Sequence, residues 1–450
     1  MNSPAPQFNP LAVELNATIR REAPAVMRLL SEVGKKLYFP KGILTQSAEA
    51  KEKATRYNAT IGEAREQGHS MGLPSITSQL SGLTADQALP YAPSAGRGDL
   101  RKAWLEEIRE KNPSLGDALV SLPVVTSGIT HGLSTLADMF VDEGDLLLLP
   151  DQVWGNYQLI FGVKRGARVD KYPLYSGTGG FDLQGLTEVI KKHAGLGKLI
   201  VLFNFPNNPT GYSITPAEAD AIRGILIEQA AEQDCDVVAI CDDAYFGLFY
   251  DDEVLKESLF TRLADAHPRI LAVKLDGASK EDYAWGLRVA FITYGIQGGE
   301  GAYEALEKKT GGCIRGTISN SPNISQSLVV KAMNDPGYRA QKAEKFAVLA
   351  RRATAVRTIL SDPRFNEVWT LYPFNSGYFM CVKLKGIDAE QYRLRLLDEY
   401  GVGVIANNST DIRVAISCVD LGDLLDLFDI MLKCALEMKT PSPGGGSTST

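Results

Sequence analysis

Five predicted strands in the middle of the chain are each followed by residues that could take part in chemistry. Ser127 ends the first, the run LPVVTS that begins at Leu122, and Gly128 follows it. A Ser-Gly turn that opens a helix offers backbone N–H groups to a phosphate. Taken singly, such residues usually form turns, caps or packing contacts. Taken together, they place a phosphate donor, a ring, an amide, an acid and an amine on one edge of one sheet, which indicates a single chemical site. The ring, amide, acid and amine belong to Trp154, Asn208, Asp242 and Lys280.

The elements that would position these residues are short apolar strands that alternate with helices. Helix-period segments such as Asp182–His193 and Pro216–Glu232 lie between the strands. Nearly continuous apolar strands separated by helices are typical of a parallel sheet covered on both faces, in which ligands bind at the carboxyl ends of the strands. We therefore predict an α/β fold with a mostly parallel central sheet and helices on both faces. After the run LPVVTS, strands are predicted at Leu146–Leu149, Leu199–Phe205, Val237–Cys241, Ile270–Leu275 and Val289–Tyr294.

The two ends of the chain predict a smaller α+β domain. An amphipathic helix is predicted at Asn9–Val33, and a long helical stretch at Ser325–Ser361 is broken near Asp335–Gly337. Strands and helices then alternate: a strand at Gly377–Val382, a helix at Ala389–Tyr400, a strand pair and a helix to about Met438.

The length of the chain, 450 residues, favours two domains. We predict a large domain at residues 72–320 and a small domain formed by residues 1–71 and 321–440. The Pro-, Gly-, Ser- and Thr-rich tail at 441–450 is predicted to be disordered. The segment at residues 38–54 has no predicted role.

Composition and charge exclude several classes of protein. The net charge of −7 argues against nucleic-acid binding, which requires clustered Lys and Arg. No apolar run approaches the roughly 20 residues of a membrane span, and the N-terminus lacks the pattern of a signal peptide. The six Cys form no C-x-x-C pair and the four His are dispersed, so no metal site is predicted. A cytoplasmic location is expected.

The strand-end residues as a set resemble the fold-type-I pyridoxal 5′-phosphate (PLP) enzymes of the class I and II aminotransferases. The chain is most similar to the aspartate aminotransferases, from about Asn58 to Arg413. The resemblance implies PLP as cofactor and amino acids and 2-oxo acids as substrates. The motifs that carry it are Tyr91-x-x-x-x-Gly96, Ser127-Gly128, Trp154-Gly155-Asn156, Asn208-Pro209-Thr210-Gly211, Asp242-x-Ala244-Tyr245, Ser279-Lys280 with Arg288, and Arg413.

The resemblance implies a role for each group around the cofactor ring. Lys280 would carry PLP as a Schiff base and then act as the base that moves a proton from the substrate. Asp242 resembles the carboxylate that pairs with the pyridine nitrogen. Asn208 and Tyr245 resemble the donors to the 3′ oxygen, and Trp154 resembles the ring that stacks on the cofactor. Trp154 and Tyr245 are thereby assigned to the catalytic set as well.

The resemblance also implies a phosphate-binding cup. Arg288 would hold the phosphate bidentately, and the backbone of Gly128 and Ile129, with Ser127 and Ser279, would complete the cup. Tyr91 resembles the tyrosine that reaches the phosphate from a partner subunit, so the resemblance implies a homodimer with composite sites.

The chain departs from the family pattern at two positions of this cup. Aspartate aminotransferases commonly have a hydroxyl residue after the Ser-Gly pair and a Ser three residues before the lysine. This chain has Ile129 and Gly277 there. The phosphate would lose two side-chain donors, which Thr130 or Ser279 would replace in part.

The resemblance assigns substrate-binding residues too. Arg413 matches the arginine that binds the α-carboxylate, and Gly62 resembles a backbone contact on the same group. Asn208 and Trp154 would also contact the substrate. Arg315, in an R-x-x-x-S-N segment, resembles the arginine that crosses the dimer interface to a distal carboxylate, which favours aspartate and glutamate. The alternative for Arg315 is a surface arginine in a loop.

The leading hypothesis is an aminotransferase that passes the amino group of aspartate or a related amino acid to 2-oxoglutarate by ping-pong kinetics. One alternative is a PLP-dependent lyase or β-decarboxylase on the same scaffold, and another is an aminotransferase of broader, aromatic specificity. A PLP-binding transcription regulator is disfavoured, because only about 70 residues precede the predicted sheet and they contain no basic recognition helix.

The assignment of Arg315 generates a first prediction. Truncating one partner of a buried charge pair typically costs about 2–5 kcal/mol. Arg315→Ala is therefore expected to lower kcat/KM for aspartate far more than for alanine or phenylalanine, measured by steady-state kinetics. Equal losses on all three amino acids would contradict the assignment.

Overall fold

The computed structural model describes residues 8–39, 42–193, 195–232 and 234–439. Its largest element is a seven-stranded sheet with the spatial order β1-β7-β6-β5-β4-β2-β3. Six strands run parallel, and β7 runs antiparallel to both of its neighbours. The predicted mostly parallel α/β sheet is confirmed. The strands are β1 Val124–Thr126, β2 Leu146–Pro150, β3 Arg168–Tyr172, β4 Lys198–Asn204, β5 Asp236–Asp242, β6 Ile270–Gly277 and β7 Ala290–Gly295.

Burial explains why most strands of the large sheet form where the apolar runs predict them. All residues of β1, β2 and β7 are buried, as are all but the first of β4 and β5. The strand that the sequence analysis missed is β3, whose residues Arg168–Lys171 are exposed or half-buried. β3 lies at one edge of the sheet, and its exposed and half-buried positions include three charged residues, so it carries no apolar signal.

Helices cover both faces of the sheet and build the rest of the molecule. A π-helix at Gln158–Val163 follows the loop after β2. The α-helices are α1 Pro10–Glu22, α2 Pro24–Leu29, α3 Glu32–Lys36, α4 Ile43–Lys53, α5 Pro74–Thr77, α6 Ala85–Ala88, α7 Gly98–Lys111, α8 Ile129–Phe140, α9 Leu183–Lys192, α10 Pro216–Glu232, α11 Phe260–Leu263, α12 Ala278–Glu281, α13 Tyr303–Thr317, α14 Asn323–Met333, α15 Tyr338–Leu360, α16 Ala389–Tyr400 and α17 Leu424–Lys439.

One predicted helix was wrong, and the alternative for Arg315 was wrong in its local structure. The helix predicted at Asn9–Val33 is three short helices, because Pro24 lacks the N–H that an uninterrupted helix needs and instead begins α2. Arg315 lies in the last turn of α13 rather than in a loop. The break predicted in the long helical stretch is present, since α14 ends at Met333 and α15 begins at Tyr338.

A second sheet and its helices form a separate apolar cluster near the C-terminus. Its four antiparallel strands have the order β8-β9-β11-β10: β8 Trp369–Leu371, β9 Phe379–Leu384, β10 Ile405–Ala406 and β11 Asp411–Ala415. Buried residues of α15, α16 and α17 pack against it. The N-terminal segment joins this part of the molecule, because Tyr57–Asn58 pairs in parallel with Val402–Gly403. The domain boundaries stay a prediction, and the tail at 441–450 lies outside the described residues.

A buried cluster of charges lies at the ends of β5 and β6. Lys274 donates to Asp243 and, at 3.2 Å, to Asp276, and its side chain is 1% exposed. Trp104 Nε1 donates to Asp276 Oδ1 at 3.1 Å, and Ser258 Oγ donates to Asp243 Oδ2 at 2.6 Å. Charges that are removed from water need such partners. The cluster therefore ties the two strand ends together.

None of the described helices is long and apolar enough to span a bilayer.

Removing the cation of this cluster is expected to be costly. Lys274→Met would leave two buried carboxylates without their counter-charge, a loss of about 3–5 kcal/mol of unfolding free energy. Urea unfolding measures it. Lys256→Met is the matched control, since Lys256 pairs on the surface with Asp252, whose side chain is fully exposed, and is expected to cost no more than about 1 kcal/mol. Similar losses in both variants would refute the role of the cluster.

Candidate active site

The loops at the carboxyl edge of the large sheet enclose one pocket together with residues of the N-terminal segment and of β9 and β11. Nine of the predicted site residues contribute to it, together with Thr130 and the motif residue Ala244. The pocket is lined by Ile43, Gly62, Ile129, Thr130, Trp154, Tyr157, Asn204, Asn208, Ala244, Tyr245, Ser279, Lys280, Arg288, Phe379 and Arg413.

The amine of Lys280 is the chemical centre of the pocket. Lys280 lies in α12, the single helical turn that follows β6, and its Nζ is 4.9 Å from the centre of the Tyr245 ring. Burial lowers the pKa of Lys280 to about 8; the carboxylate of Asp242 opposes this shift and the guanidinium of Arg288 adds to it. A larger share of this amine is therefore neutral near pH 7 than of a lysine in water, which favours a nucleophile or a base.

Asp242 is the buried acid of the site. Its Oδ2 accepts a hydrogen bond from Tyr157 at 2.6 Å, and its Oδ1 accepts one from the backbone N–H of Ala244 at 3.0 Å. Burial raises the pKa of Asp242 to about 6, although Tyr157 and Lys280 both favour the ionised form. A cation placed beside Asp242 would relieve the cost of burying its charge.

Asn204 connects Asp242 to the loop that carries Asn208. The parallel register of β4 and β5 sets Asn204 beside Asp242, and Asn204 Nδ2 donates to the backbone carbonyl of Asp242 at 2.9 Å. Asn204 Oδ1 in turn accepts from the N–H of Asn208 at 2.8 Å. Neither Asn204 nor Tyr157 was predicted from the sequence. The register of neighbouring parallel strands was the only signal for Asn204.

The predicted phosphate cup forms at the start of α8. Gly128 has φ +79°, and a Cβ there would lie 2.2 Å from Arg288 Nη2, so only glycine lets the guanidinium cover this turn. Arg288 itself has φ +54° and its Nη1 donates to the carbonyl of Trp285 at 3.1 Å. A non-glycine residue in this conformation is uncommon and points to a constrained position. Ile129 begins α8, and the N–H of Ser127 donates to His131 Nδ1 at 3.0 Å.

The structure gives a physical reason for one departure from the family pattern. Gly277 pairs with Ala290 of β7, and a Cβ at Gly277 would lie 2.6 Å from the carbonyl oxygen of Val289 and 2.7 Å from Ala290 Cα. No serine fits there unless β7 moves. Thr130 and the buried Ser279 both line the pocket, where their hydroxyl groups are available in place of the missing ones.

Arg413 is a buried cation on the opposite wall. Its Nη1 donates to Asn208 Oδ1 at 3.1 Å and its Nη2 to the carbonyl of Thr60 at 2.8 Å, while Nε has no partner. The guanidinium lies 4.2 Å from the centre of the Phe379 ring. Burial lowers the pKa of Arg413, and within the described ranges no carboxylate forms an ion pair with it. This arrangement suits an anionic ligand.

Five predicted site residues do not line the pocket: Ser127, Gly128 and Asp242 lie beside residues that do, whereas Tyr91 and Arg315 are exposed. Tyr91 is 91% exposed, and the exposed Arg315 donates to Ser319 Oγ at 2.6 Å. Both positions are compatible with the predicted reach into a partner subunit, which stays a prediction. In the described part of the chain, no group of three His, Cys, Asp or Glu side chains is placed to hold a metal ion.

Known proteins share the fold of this chain. The fold is that of the type I transferases, as its structural neighbours show: an aminotransferase from Anaerococcus prevotii superimposes with a TM-score of 0.79 at 24% identity, over 88% of this chain and 97% of that one. The model of the family described as aminotransferase class I and II matches residues 60–428, and the chain belongs to this family.

The relatives differ in what they act on. An arginine–pyruvate transaminase of Pseudomonas aeruginosa is 26% identical over 321 residues, which are 71% of this chain and 74% of the relative. An aspartate aminotransferase of Bacillus subtilis is 24% identical over 319 residues, 70% of this chain and 75% of the relative. The chain is thus an aminotransferase-family protein similar to the aspartate aminotransferases.

The cramped contact at Gly277 generates a stability prediction. Gly277→Ser is expected to lower the unfolding free energy by about 1–3 kcal/mol, the usual cost of overpacking, as measured by urea unfolding. Gly224→Ser in α10 is the control, because a Cβ there meets nothing within 4 Å. A Gly277→Ser protein as stable as the control would show that β7 moves freely.

Proposed function

We propose that this protein is a PLP-dependent aminotransferase whose site is the pocket around Lys280. The observation that carries the proposal is a pocket lined by a buried amine and by a guanidinium-covered helix start, with the buried carboxylate of Asp242 hydrogen-bonded to two of its lining residues, Tyr157 and Ala244. These residues fit PLP: Lys280 suits its aldehyde, Asp242 its ring nitrogen, and Gly128, Ile129 and Arg288 its phosphate. When bound, PLP supplies an electron sink for the bond that breaks at the substrate Cα.

The protein's own residues prepare that chemistry. Asp242, ionised opposite a protonated ring nitrogen, would stabilise the positive charge there. Tyr157 and Ala244 hold the carboxylate in place through the two hydrogen bonds that it accepts. Trp154 and Ala244 line the pocket from the loops after β2 and β5, and Trp154 would stack on the cofactor ring. Asn208 and Tyr245 would donate to the ring oxygen.

Lys280 would also be the base. Its Nζ, with a pKa near 8, would take the proton from the substrate Cα and pass it to the C4′ atom of the cofactor. The lowered pKa keeps this amine ready to accept a proton near pH 7, because it is neutral more often than a lysine in water. Arg413 would hold the α-carboxylate, with Asn208 and the backbone of Gly62 beside it.

For the substrate, we propose an amino donor of the aspartate type, with 2-oxoglutarate as acceptor. We also propose a homodimer in which each subunit contributes Tyr91 and Arg315 to the site of the other. The large exposed fraction of Tyr91 supports this assembly. Broader specificity is the second candidate. It is favoured by the apolar side chains of Ile43, Trp154 and Phe379 that this chain brings to its own pocket.

The cofactor and the reaction type are testable in one experiment. Purified protein supplied with PLP is expected to show the absorbance of a lysine-bound cofactor, and an amino acid accepted as donor is expected to convert it to that of pyridoxamine phosphate. Borohydride reduction before adding donor should attach the cofactor covalently to Lys280, as mass spectrometry reports.

Two variants control this test. Lys280→Ala is expected to lose both the covalent adduct and the transfer reaction, whereas Lys256→Ala, at an exposed lysine, should keep both. A panel of aspartate, glutamate, arginine, alanine and phenylalanine then separates the two specificities. Release of ammonia or CO2 without formation of pyridoxamine phosphate would favour a lyase instead.

A further inference from the structure

The carboxylate of Asp411 is buried in a hub of neutral hydrogen-bond donors. It is 1% exposed. Its Oδ2 accepts from Gln152 Nε2 at 3.0 Å and from Asn408 Nδ2 at 2.8 Å, and its Oδ1 accepts from Thr410 Oγ1 at 2.8 Å. The hydroxyl of Tyr372 lies 3.2 Å from both oxygens.

No cation of the described residues forms an ion pair with Asp411. The ionisable groups that interact with Asp411 from the packed elements are Tyr372 and Cys381, and Asp151 interacts with Tyr372. Burial is the main cause that raises the pKa of Tyr372 and of Cys381, and the charge of Asp411 raises both further. A buried carboxylate in such surroundings depends on its hydrogen bonds. Replacing one of the donors is therefore expected to destabilise the packing around Asp411 considerably.

The hub links the two walls of the active site. Asp411 and Arg413 are two residues apart on β11, so their side chains project from the same face of the strand. Gln152 comes two residues before Trp154, in the loop after β2. The carbonyl of Gln152 accepts from Asn207 Nδ2 at 3.2 Å, and the adjacent Asn208 accepts from Arg413. The Trp154 loop, the Asn208 loop and the Arg413 strand thus form a closed circuit of contacts.

We propose that the hydrogen bond from Gln152 to Asp411 positions Arg413 against the loops of the large sheet and so sets the affinity of the site for the substrate α-carboxylate. Gln152 and Asp411 are positioning residues: neither lines the pocket, and both act through Arg413. The inference rests on the proposed function, because it assigns Arg413 to the α-carboxylate.

The sharpest test exchanges the donor for an acid. In Gln152→Glu, two carboxylates face each other in alkaline solution and repel, and the walls separate. On acidification the introduced carboxyl at position 152 takes up a proton and the hydrogen bond is restored, because the like charge that it faces raises its pKa. The KM for the amino donor, relative to the wild type, is expected to rise about tenfold at alkaline pH and to recover on acidification.

The kcat and the absorbance of the bound cofactor should change little, because Lys280 and Asp242 are not part of the hub. A KM that changes while kcat does not is the mark of lost ground-state binding. A general loss of structure would instead lower kcat and disturb the cofactor absorbance.

Two further variants make the comparison specific. Gln184→Glu is the matched control, because Gln184 donates to Glu188 at 2.8 Å on the exposed surface of α9, and it should leave KM unchanged at every pH. The exchange Gln152→Glu with Asp411→Asn restores one donor and one acceptor with their roles reversed. It is expected to return KM to within about threefold of the wild type and to abolish the added pH dependence.

Each outcome decides the inference. A Gln152→Glu protein that behaves like Gln184→Glu contradicts it, and so does a raised KM that the exchange does not rescue. If Gln152→Glu does not fold, Gln152→Met removes the hydrogen bond without a charge and should raise KM equally at all pH values; an unchanged KM would overturn the inference. A wild type that reacts with no amino acid contradicts the proposed function itself, and with it the carboxylate site that this inference requires.

Discussion

Burial of two opposite charges at the carboxyl edge of the sheet is the constraint on which the site depends. Removal from water raises the pKa of Asp242 and lowers that of Lys280, so each group is pushed toward its neutral form. Each also stabilises the charge of the other. The protonation state of each group therefore depends on the charges nearby, and a cationic ring or an incoming ammonium would change it. The charges of a lysine and an aspartate in water would be screened from each other and would not depend on their neighbours in this way.

The scaffold keeps these two groups at a fixed separation. Asp243 directly follows Asp242, and Asp276 precedes Lys280 by four residues. Lys274 pairs with both Asp243 and Asp276 and so links the ends of β5 and β6. Asn204 reaches across from β4 to the backbone of Asp242. Strand ends of an ordinary parallel sheet are free to splay into their loops, whereas here buried charge-assisted bonds hold them. The site is thus preorganised by groups that do not line the pocket.

The sequence predicts the parts of this molecule that carry a strong local signal. Continuous apolar strands and the residues directly after them were predictable, because burial on two faces leaves no polar positions. The edge strand β3 was not, since its exposed side permits charge. Nor were Tyr157, directly before the π-helix, and Ile43, at the start of an N-terminal helix, which both line the pocket. Their positions follow from tertiary packing rather than from any motif, and the same holds for the pairing of Gln152 with Asp411.

The two departures in the phosphate cup have different physical origins. At Gly277 the neighbouring strand approaches so closely that a side chain is excluded, so the loss of a hydroxyl there follows from the packing of β6 on β7. Ile129 belongs to the apolar cluster beneath the sheet, so its side chain contributes to the core, while its backbone N–H stays at the start of α8. Both changes exchange a polar side chain for packing. The cup then depends more heavily on Arg288 and on the helix N-terminus, and Arg288 can cover that terminus because Gly128 has no Cβ in its path.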